Sequence, residues 1–490
     1  MKCASSSEFA SNNGQYTMPN KILRLSVTWA AILAIASFVI VLQRVRSVPD
    51  PEGISEPIEP TAAVAVEPLR LDAELTGKIV VAAHAWAPTL SSEFLLTNAK
   101  PLEEGNSSEQ LAHAILVGAV EGWSKGADAA RAVEITESAD SEKRDAFEAN
   151  SALKTDVVGA MEELAESNGD FAAVSDETRE RIEADLGFFG RVLSVDGVSE
   201  AKSGLSVMIF AGVWYLTVFL LGLVALIALA GFVGTGKWKP ALEPTSDGHV
   251  MLVLGETFAI WMGLYLFLTI GATVIAASLP DSVASTGGLV LSIAAMGGSL
   301  AVLAFPRRRG VSAADLRAAI GLNTGRGVLR EIGAGVVCYV SAVPILVVGG
   351  ILYFILSLIA QAISGEQAPP SHPAVEMLGG AGALEVVLLF TLASVMAPIV
   401  EEISFRGLLY GHLRGVVVPR ARLASALVAA VASSVIFAAI HPQGLMFVPA
   451  LGGLAVGFCL YREMRGSLIA PMVAHGINNA FTLALGLMLF

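Results

Sequence analysis

The chain has 490 residues, of which 54% are hydrophobic and only 15% are charged, and its mean hydropathy is +0.66. Soluble proteins average about 25% charged residues, so this composition excludes a string of ordinary soluble domains and indicates a polytopic membrane protein. The three cysteines, Cys3, Cys338 and Cys459, are too few and too widely spaced for a disulfide framework or a structural zinc or haem site.

The charge is unevenly distributed along the chain. Residues 47–204 contain 31 acidic and 12 basic residues, whereas the whole chain has a net charge of −13, so the remainder is mildly basic. Binding to nucleic acid needs a clustered basic face, and no stretch supplies one. We therefore expect the lipid bilayer, and no nucleic acid, among the partners.

The amino-terminal region, residues 1–46, contains an apolar run over 25–42 with basic residues on both sides. Its length is close to the ~20 residues that span a bilayer, and no small-residue cleavage site follows it. This pattern favours an uncleaved signal anchor over a cleaved signal peptide. Residues 47–68 contain five prolines among acidic residues, which predicts a stiff, extended linker.

Residues 69–204 are predicted to form a soluble, acidic helical domain. Leu111 and Ile115, and later Ile182, Leu186 and Phe189, recur at helical spacing. This segment contains no catalytic motif, and its role is not predicted.

After residue 204, apolar runs follow one another at 207–232, 251–279, 288–305, 332–363, 384–409, 423–440, 444–461 and 468–490. Together with the anchor they predict an all-α polytopic helical bundle of about nine transmembrane helices. We divide this body into residues 205–380, the amino-terminal membrane helices, and residues 381–490, the candidate catalytic part.

Six arginines crowd the loop between residues 307 and 330, and the positive-inside rule places this loop in the cytoplasm. Counting back, the amino terminus is expected inside and residues 47–204 outside. The acidic exterior and the lack of eukaryotic sorting signals indicate a bacterial cytoplasmic membrane.

Ionisable side chains within apolar spans cost ~2.5–3.5 kcal/mol or more each and therefore indicate functional sites. Glu402 and Arg406 are four residues apart, so they can pair on one face of a helix. Glu401 is rotated by about 100° from that pair and remains available for chemistry. The alternative is that both glutamates only pair with arginines at a helix end.

Two further pairs, Phe437 with His441 and His475 with Asn479, have the same four-residue spacing. A carboxylate and a histidine can activate water, while a second histidine and an asparagine can donate hydrogen bonds to a tetrahedral oxyanion. A histidine in a span is also compatible with simple packing. The zinc-protease motif HExxH is absent, and no aspartate pair lies in the spans.

The three spaced motifs, EExxxR from Glu401, FxxxH from Phe437 and HxxxN from His475, resemble those of the CPBP intramembrane proteases, the CAAX-processing and bacteriocin-processing family. The resemblance covers residues 384–490. It implies that Glu401 and His441 activate water, that His475 and Asn479 stabilise the oxyanion, and that Glu402, Arg406 and Phe437 have supporting roles. It implies no metal cofactor, with zinc at Glu401, His441 and His475 as the alternative.

We therefore expect an intramembrane endopeptidase that cleaves a membrane-associated peptide or protein. The alternatives are a non-proteolytic scaffold or immunity protein on the same fold, and a transporter that uses Glu256 and Glu385. Counting residues puts Glu401 and His475 near the cytoplasmic side but His441 at the opposite end of its span. A re-entrant stretch over 406–422, or a tilted helix before His441, is expected to bring them together.

Overall fold

The computed structural model describes residues 18–47, 69, 71–135, 141–237, 240–242, 247–364, 377–378, 381–416 and 422–489. All regular secondary structure in these residues is helical and none of it is strand, which confirms the all-α class. The predicted linker 47–68 lies outside the described residues, apart from Ser47 at the end of the first helix.

The α-helices of these ranges, numbered in chain order, are α1 (Met18–Ser47), α2 (Leu71–Trp86), α3 (Ser92–Thr97), α4 (Lys100–Glu103), α5 (Ser107–Glu121), α6 (Trp123–Ala132), α7 (Ser141–Glu166), α8 (Asp176–Leu186), α9 (Phe188–Val192), α10 (Val195–Gly234), α11 (Gly248–Ala276), α12 (Asp281–Ser299), α13 (Phe305–Arg308), α14 (Ala313–Ile320), α15 (Val328–Ser364), α16 (Ala383–Thr391), α17 (Ala397–Glu401), α18 (Tyr410–Val416), α19 (Arg422–Ala439), α20 (Val448–Arg465) and α21 (Ile469–Leu489). Short 3₁₀ segments lie at Phe171–Ala173, Leu300–Ala304 and Leu445–Phe447.

Eight helical runs in the described part of the chain are long and apolar enough to cross a membrane: Lys21–Gln43, Val195–Gly234, Gly248–Ala276, Ser282–Arg308, Val328–Ala360, Ala383–Val416, Arg422–Ala439 and Leu445–Arg465. The predicted number of about nine transmembrane helices is close to these eight. The remaining predicted span is the helix α21, which carries His475, Asn478 and Asn479 and is not among the eight. The protein is a multi-pass membrane protein.

One compact unit comprises residues 52–214 with 485–490. Its core includes the residues predicted from helical spacing, Leu111, Ile115, Ile182, Leu186 and Phe189, all fully buried. Helix α5 starts with a capping box, in which the Asn106 side chain accepts from the Glu109 backbone and the Glu109 carboxylate accepts in return. Helix α10 runs unbroken through residue 204, the predicted end of the soluble domain.

The other compact unit comprises residues 1–51 and 215–484, and α1 is part of its core. Ile32 of α1 is fully buried in the apolar cluster that contains Phe258 and Trp261 of α11. Arg24 lies 2.7 Å from the Glu256 carboxylate, and Arg309 contacts the same carboxylate at 3.3 Å. The predicted anchor is therefore packed into the membrane body, and Glu256 is neutralised by two arginines.

The run from Ala383 to Val416 positions the candidate site. Two π-helical segments, Leu392–Met396 and Glu402–Leu409, interrupt its α-helical turns. Such π-segments widen the helix and are frequent at functional sites. The sequence pattern predicted a single regular span, 384–409, because hydrophobic periodicity does not reveal where a hydrogen-bond register shifts.

The predicted end of this span was wrong, and this error explains the mismatch in depth. The run continues to Val416, so Glu401 lies about 22 Å from its end at 1.5 Å per residue. His441 follows the end of α19 and lies about 28 Å from Arg422 on the same scale. The longer run thus reduces the difference in depth that was predicted between the two residues. Residues 406–416 continue the helix and do not re-enter, whereas 417–421 lie outside the described ranges.

Candidate active site

Glu402 and Arg406 form the predicted pair, and both are completely buried. Arg406 Nη1 lies 2.9 Å from Glu402 Oε1. The guanidinium of Arg406 also lies over two aromatic rings, 4.5 Å from the centroid of Phe437 and 5.2 Å from that of Phe458. A buried ion pair needs such additional partners because desolvation opposes the Coulomb attraction. The pair is thus enclosed by aromatic side chains.

Glu402 has a second partner that the sequence analysis did not predict. His475 Nδ1 lies 3.0 Å from Glu402 Oε1 and donates a hydrogen bond to that carboxylate. Because a carboxylate on one ring nitrogen fixes the tautomer and orientation of an imidazole, Nε2 of His475 must point away from Glu402. The ring of Phe458 stacks on His475 at a centroid distance of 5.6 Å.

Glu401 lies where the other two motifs meet. Its Oε2 is 3.8 Å from His441 Nε2 and 3.8 Å from His475 Nε2. These separations are too long for direct hydrogen bonds, and no donor within the described residues bonds to this buried oxygen. A water oxygen can lie about 2.8 Å from both atoms of such a pair. The arrangement can therefore hold a water between one carboxylate and two imidazoles.

His441 is oriented by its own helix. Its Nδ1 lies 2.6 Å from the Phe437 carbonyl oxygen and donates to it, because a carbonyl can only accept. In its neutral form the ring would therefore present the lone pair of Nε2 towards Glu401. The Phe437 ring lies 4.2 Å from the His441 ring, and it contacts Phe405 at 5.0 Å. The predicted four-residue spacing thus positions both the aromatic ring and the carbonyl that hold the histidine.

Asn479 lies on α21, one turn after His475, but its side chain bonds to Ala393 and Asn478 and not to the other motif residues. Its Nδ2 donates to the Ala393 carbonyl at 2.8 Å, and its Oδ1 accepts from Asn478 at 3.2 Å. Ala393 belongs to the first π-segment, Leu392–Met396. Within the described residues, no hydrogen bond joins Asn479 to Glu401, His441 or His475. One of its two amide protons is therefore already used to attach α21 to the run 383–416.

Zinc was the alternative cofactor for Glu401, His441 and His475. In the part of the chain that the structure describes, no group of three or more His, Cys, Asp or Glu side chains is arranged as metal ligands. Glu401 Oε2 lies 3.8 Å from each of the two histidine Nε2 atoms, and the absence of a metal cofactor stays a prediction.

Two acidic residues outside the motifs, Glu463 and Glu385, have structural partners. Glu463, which the sequence analysis missed, is fully buried and accepts from Arg414 at 2.9 Å and from Tyr410 at 2.9 Å. It lies two residues beyond the predicted span 444–461, so it was not among the charged residues within spans. Glu385 accepts from the Gly382 backbone and from Thr286, as a residue at the start of a helix does.

Comparisons with known proteins identify the same region of the chain. Residues 383–481 match the family model described as type II CAAX prenyl endopeptidase Rce1-like. A similar relative is the membrane-embedded CAAX protease MroQ of Staphylococcus aureus (strain USA300), with 26% identity over 124 residues. These residues are 25% of this chain and 48% of the relative, so the chain spans about half the length of that protein. No solved structure gives a significant match.

The matched segment contains every residue of the three motifs, from Glu401 to Asn479. The geometry and the comparison therefore concern one and the same part of the molecule. Residues 383–481 of this chain match the model of the Rce1-like type II CAAX prenyl endopeptidases, in agreement with the resemblance that the three motifs predicted.

Proposed function

We propose that the protein is an intramembrane endopeptidase that hydrolyses a peptide bond of a membrane-associated peptide or protein. The observation that carries the proposal is the convergence of Glu401, His441 and His475, with 3.8 Å between the glutamate oxygen and each Nε2. The family match over 383–481 supports the same class of activity.

In this proposal Glu401 is the general base. Its Oε2 accepts a hydrogen bond from one O–H group of a water molecule. His441 Nε2 accepts a hydrogen bond from the other O–H group, because the proton of this ring lies on Nδ1, where it bonds to the Phe437 carbonyl. Glu401 removes the first proton as the water oxygen attacks the peptide carbonyl carbon. The new carbon–oxygen bond converts the carbonyl into a tetrahedral oxyanion.

In the proposal His475 stabilises this oxyanion by donating a hydrogen bond from Nε2–H to the developing negative charge. Its Nδ1–H bonds to the Glu402 carboxylate at 3.0 Å, which orients the ring. The second amide proton of Asn479 is the other proposed donor.

The intermediate then collapses and the site is restored. Protonated Glu401 gives its proton to the amide nitrogen, the carbon–nitrogen bond breaks, and the products are a carboxylic acid and an amine. Glu402, Arg406 and Phe437 act only by holding His475 and His441 in place.

We also propose that the reaction needs no metal. The test is to measure peptide cleavage by the purified protein before and after dialysis against a strong zinc chelator, followed by addition of zinc. We expect the rate to be unchanged throughout. A loss of activity that zinc restores would contradict the proposed water activation.

The substrate itself can be identified by trapping. A Glu401→Gln variant that still folds should retain uncleaved membrane peptides, which proteomics can compare with those retained by the wild-type protein. We propose a bacterial cytoplasmic membrane as the location, with the amino terminus inside and residues 47–204 outside, on the basis of the arginine-rich loop.

A further inference from the structure

A cavity of about 650 Å³ lies between α10, α15 and α20, away from the three motifs. Helices α10 and α15 touch at Gly222, where an added Cβ would lie 2.2 Å from the Val340 carbonyl oxygen and 2.6 Å from Pro344. The helices separate from this point towards Phe232 and Gly333. A Cβ on Gly333 would meet nothing within 4 Å, so the space beside this glycine is open.

The walls of the cavity are apolar. Leu229 and Phe232 line it from α10, Val337 from α15 and Met464 from α20. An apolar space of this size between transmembrane helices is comparable with the 300–1,000 Å³ of typical ligand sites. Its walls favour a hydrocarbon chain.

The mouth of the cavity is basic. Lys237, Arg326 and Arg330 line it with exposed side chains. None of the three forms a salt bridge with any described residue. The nearby Glu331 carboxylate is bound to the Arg465 side chain at 2.6 and 2.9 Å and also accepts from the Arg326 backbone at 2.9 Å. Three like charges at one opening repel each other unless an anion lies between them. The mouth therefore favours a phosphate group.

We infer that this cavity binds one anionic phospholipid, with the phosphate at Lys237, Arg326 and Arg330 and an acyl chain along Leu229, Phe232 and Val337. Basic pockets between transmembrane helices on the cytoplasmic side bind lipid headgroups of this kind. The positive-inside rule assigns this end of α15 to the cytoplasmic side as well, because six arginines lie between residues 307 and 330. The site is independent of the proposed peptidase chemistry.

Native mass spectrometry of the full-length protein tests the inference, with phosphatidylglycerol and phosphatidylcholine as lipid probes. The wild-type protein should retain phosphatidylglycerol and bind phosphatidylcholine at least tenfold more weakly. The combined variant Lys237→Gln, Arg326→Gln and Arg330→Gln should bind phosphatidylglycerol at least tenfold more weakly than the wild type, because each basic residue near the surface contributes to anionic-lipid binding.

Two further variants separate the cavity from general charge. Gly333→Phe fills the open space without removing a charge, and it should also weaken binding at least tenfold. Arg307→Gln with Arg308→Gln removes exposed charges of the same loop that do not line the cavity, and it should bind as the wild type does.

The inference is overturned if the triple variant retains phosphatidylglycerol as the wild type does, or if the Arg307 and Arg308 variant loses it equally. It is also overturned if Gly333→Phe, once shown to be folded by size-exclusion chromatography, binds normally. Inorganic phosphate or glycerol phosphate that displaced the lipid at equal concentration would show that the acyl chain is not recognised, and would contradict it as well.

Discussion

Glu401 and Glu402 are adjacent in sequence, but their surroundings differ. The Glu402 side chain is completely buried and lies between Arg406 and His475, whereas 17% of the Glu401 side chain is exposed and it faces two imidazole nitrogens at 3.8 Å. A carboxylate with two fixed partners is not free to accept a proton from water. The difference supports the proposal that Glu402 has a supporting role and that Glu401 is the general base.

Replacing Glu402 by glutamine should reduce both stability and activity. The change leaves Arg406 without its counter-charge, and breaking a buried ion pair from one side costs about 3–5 kcal/mol. It also replaces the carboxylate that accepts from His475 Nδ1 at 3.0 Å. Thermal unfolding in detergent and peptide cleavage per folded molecule measure the two effects.

Glu463→Gln is the matched control for this change. Glu463 is equally buried and pairs with Arg414 at 2.9 Å, so its replacement should lower the thermal stability similarly. It does not contact the three motifs, so cleavage per folded molecule should remain near the wild-type value. A Glu402→Gln protein with wild-type stability and cleavage would show that the buried pair has no supporting role.

At the scale of the helices, the sequence predicted what lies within one helix and missed what lies between helices. Four-residue spacing correctly paired Glu402 with Arg406 and Phe437 with His441, because i,i+4 neighbours share a face. The bond from His475 to Glu402 joins residues 73 positions apart, and no local pattern encodes it. The π-segments were missed because they change the backbone register without changing the apolar character of the run.

Helix α1 contacts the loop that carries His441 through Gln43. We predict that Gln43 positions His441. Gln43 Nε2 donates to the Ile440 carbonyl at 2.8 Å, directly before His441 and just beyond the end of α19. The last carbonyls of a helix lack partners within the helix, so Gln43 holds this end in place. Gln43→Leu should lower kcat with little change in KM.

The stability cost of Gln43→Leu should be about 1 kcal/mol, as for one ordinary hydrogen bond. Val41→Leu, on the exposed side of the same helix, is the control and should behave as the wild type. Steady-state kinetics with a cleavable peptide separates the two parameters. An unchanged kcat in Gln43→Leu would show that His441 is positioned without α1.

At the scale of the whole molecule, the soluble domain over residues 69–204 stays a prediction. Its end was predicted at residue 204, where the charge pattern changes, whereas α10 continues through this position and the compact unit extends to residue 214. The backbone geometry of a helix is the same in water and in a membrane, so a continuous helix gives no sign of where a soluble domain would end. Leu111, Ile115 and Phe189, which recur at helical spacing in the sequence, are all buried in this compact unit.

We expect residues 69–204 to fold without the membrane body. Their helices have a continuous apolar core, and the nearly buried Lys78 is paired with Glu74 at 3.1 Å and Glu200 at 3.0 Å inside the same unit. Expressed alone, the segment should be soluble and helical by circular dichroism, with a cooperative thermal transition. A random-coil spectrum would contradict this expectation.

Replacement of Glu401 by glutamine tests the proposal that this residue activates water. The amide keeps the size of the side chain but cannot accept the proton, and loss of a general base typically slows a reaction by about 10²–10⁴-fold. Glu385→Gln, in the same run 383–416 but at its capped start, is the control and should retain activity.

Peptide cleavage and thermal unfolding are measured side by side on the purified wild-type, Glu401→Gln and Glu385→Gln proteins. We predict that Glu401→Gln unfolds near the wild-type Tm and cleaves at least 100-fold more slowly, while Glu385→Gln cleaves at the wild-type rate. A folded Glu401→Gln protein that cleaves as fast as the wild type would contradict the proposal.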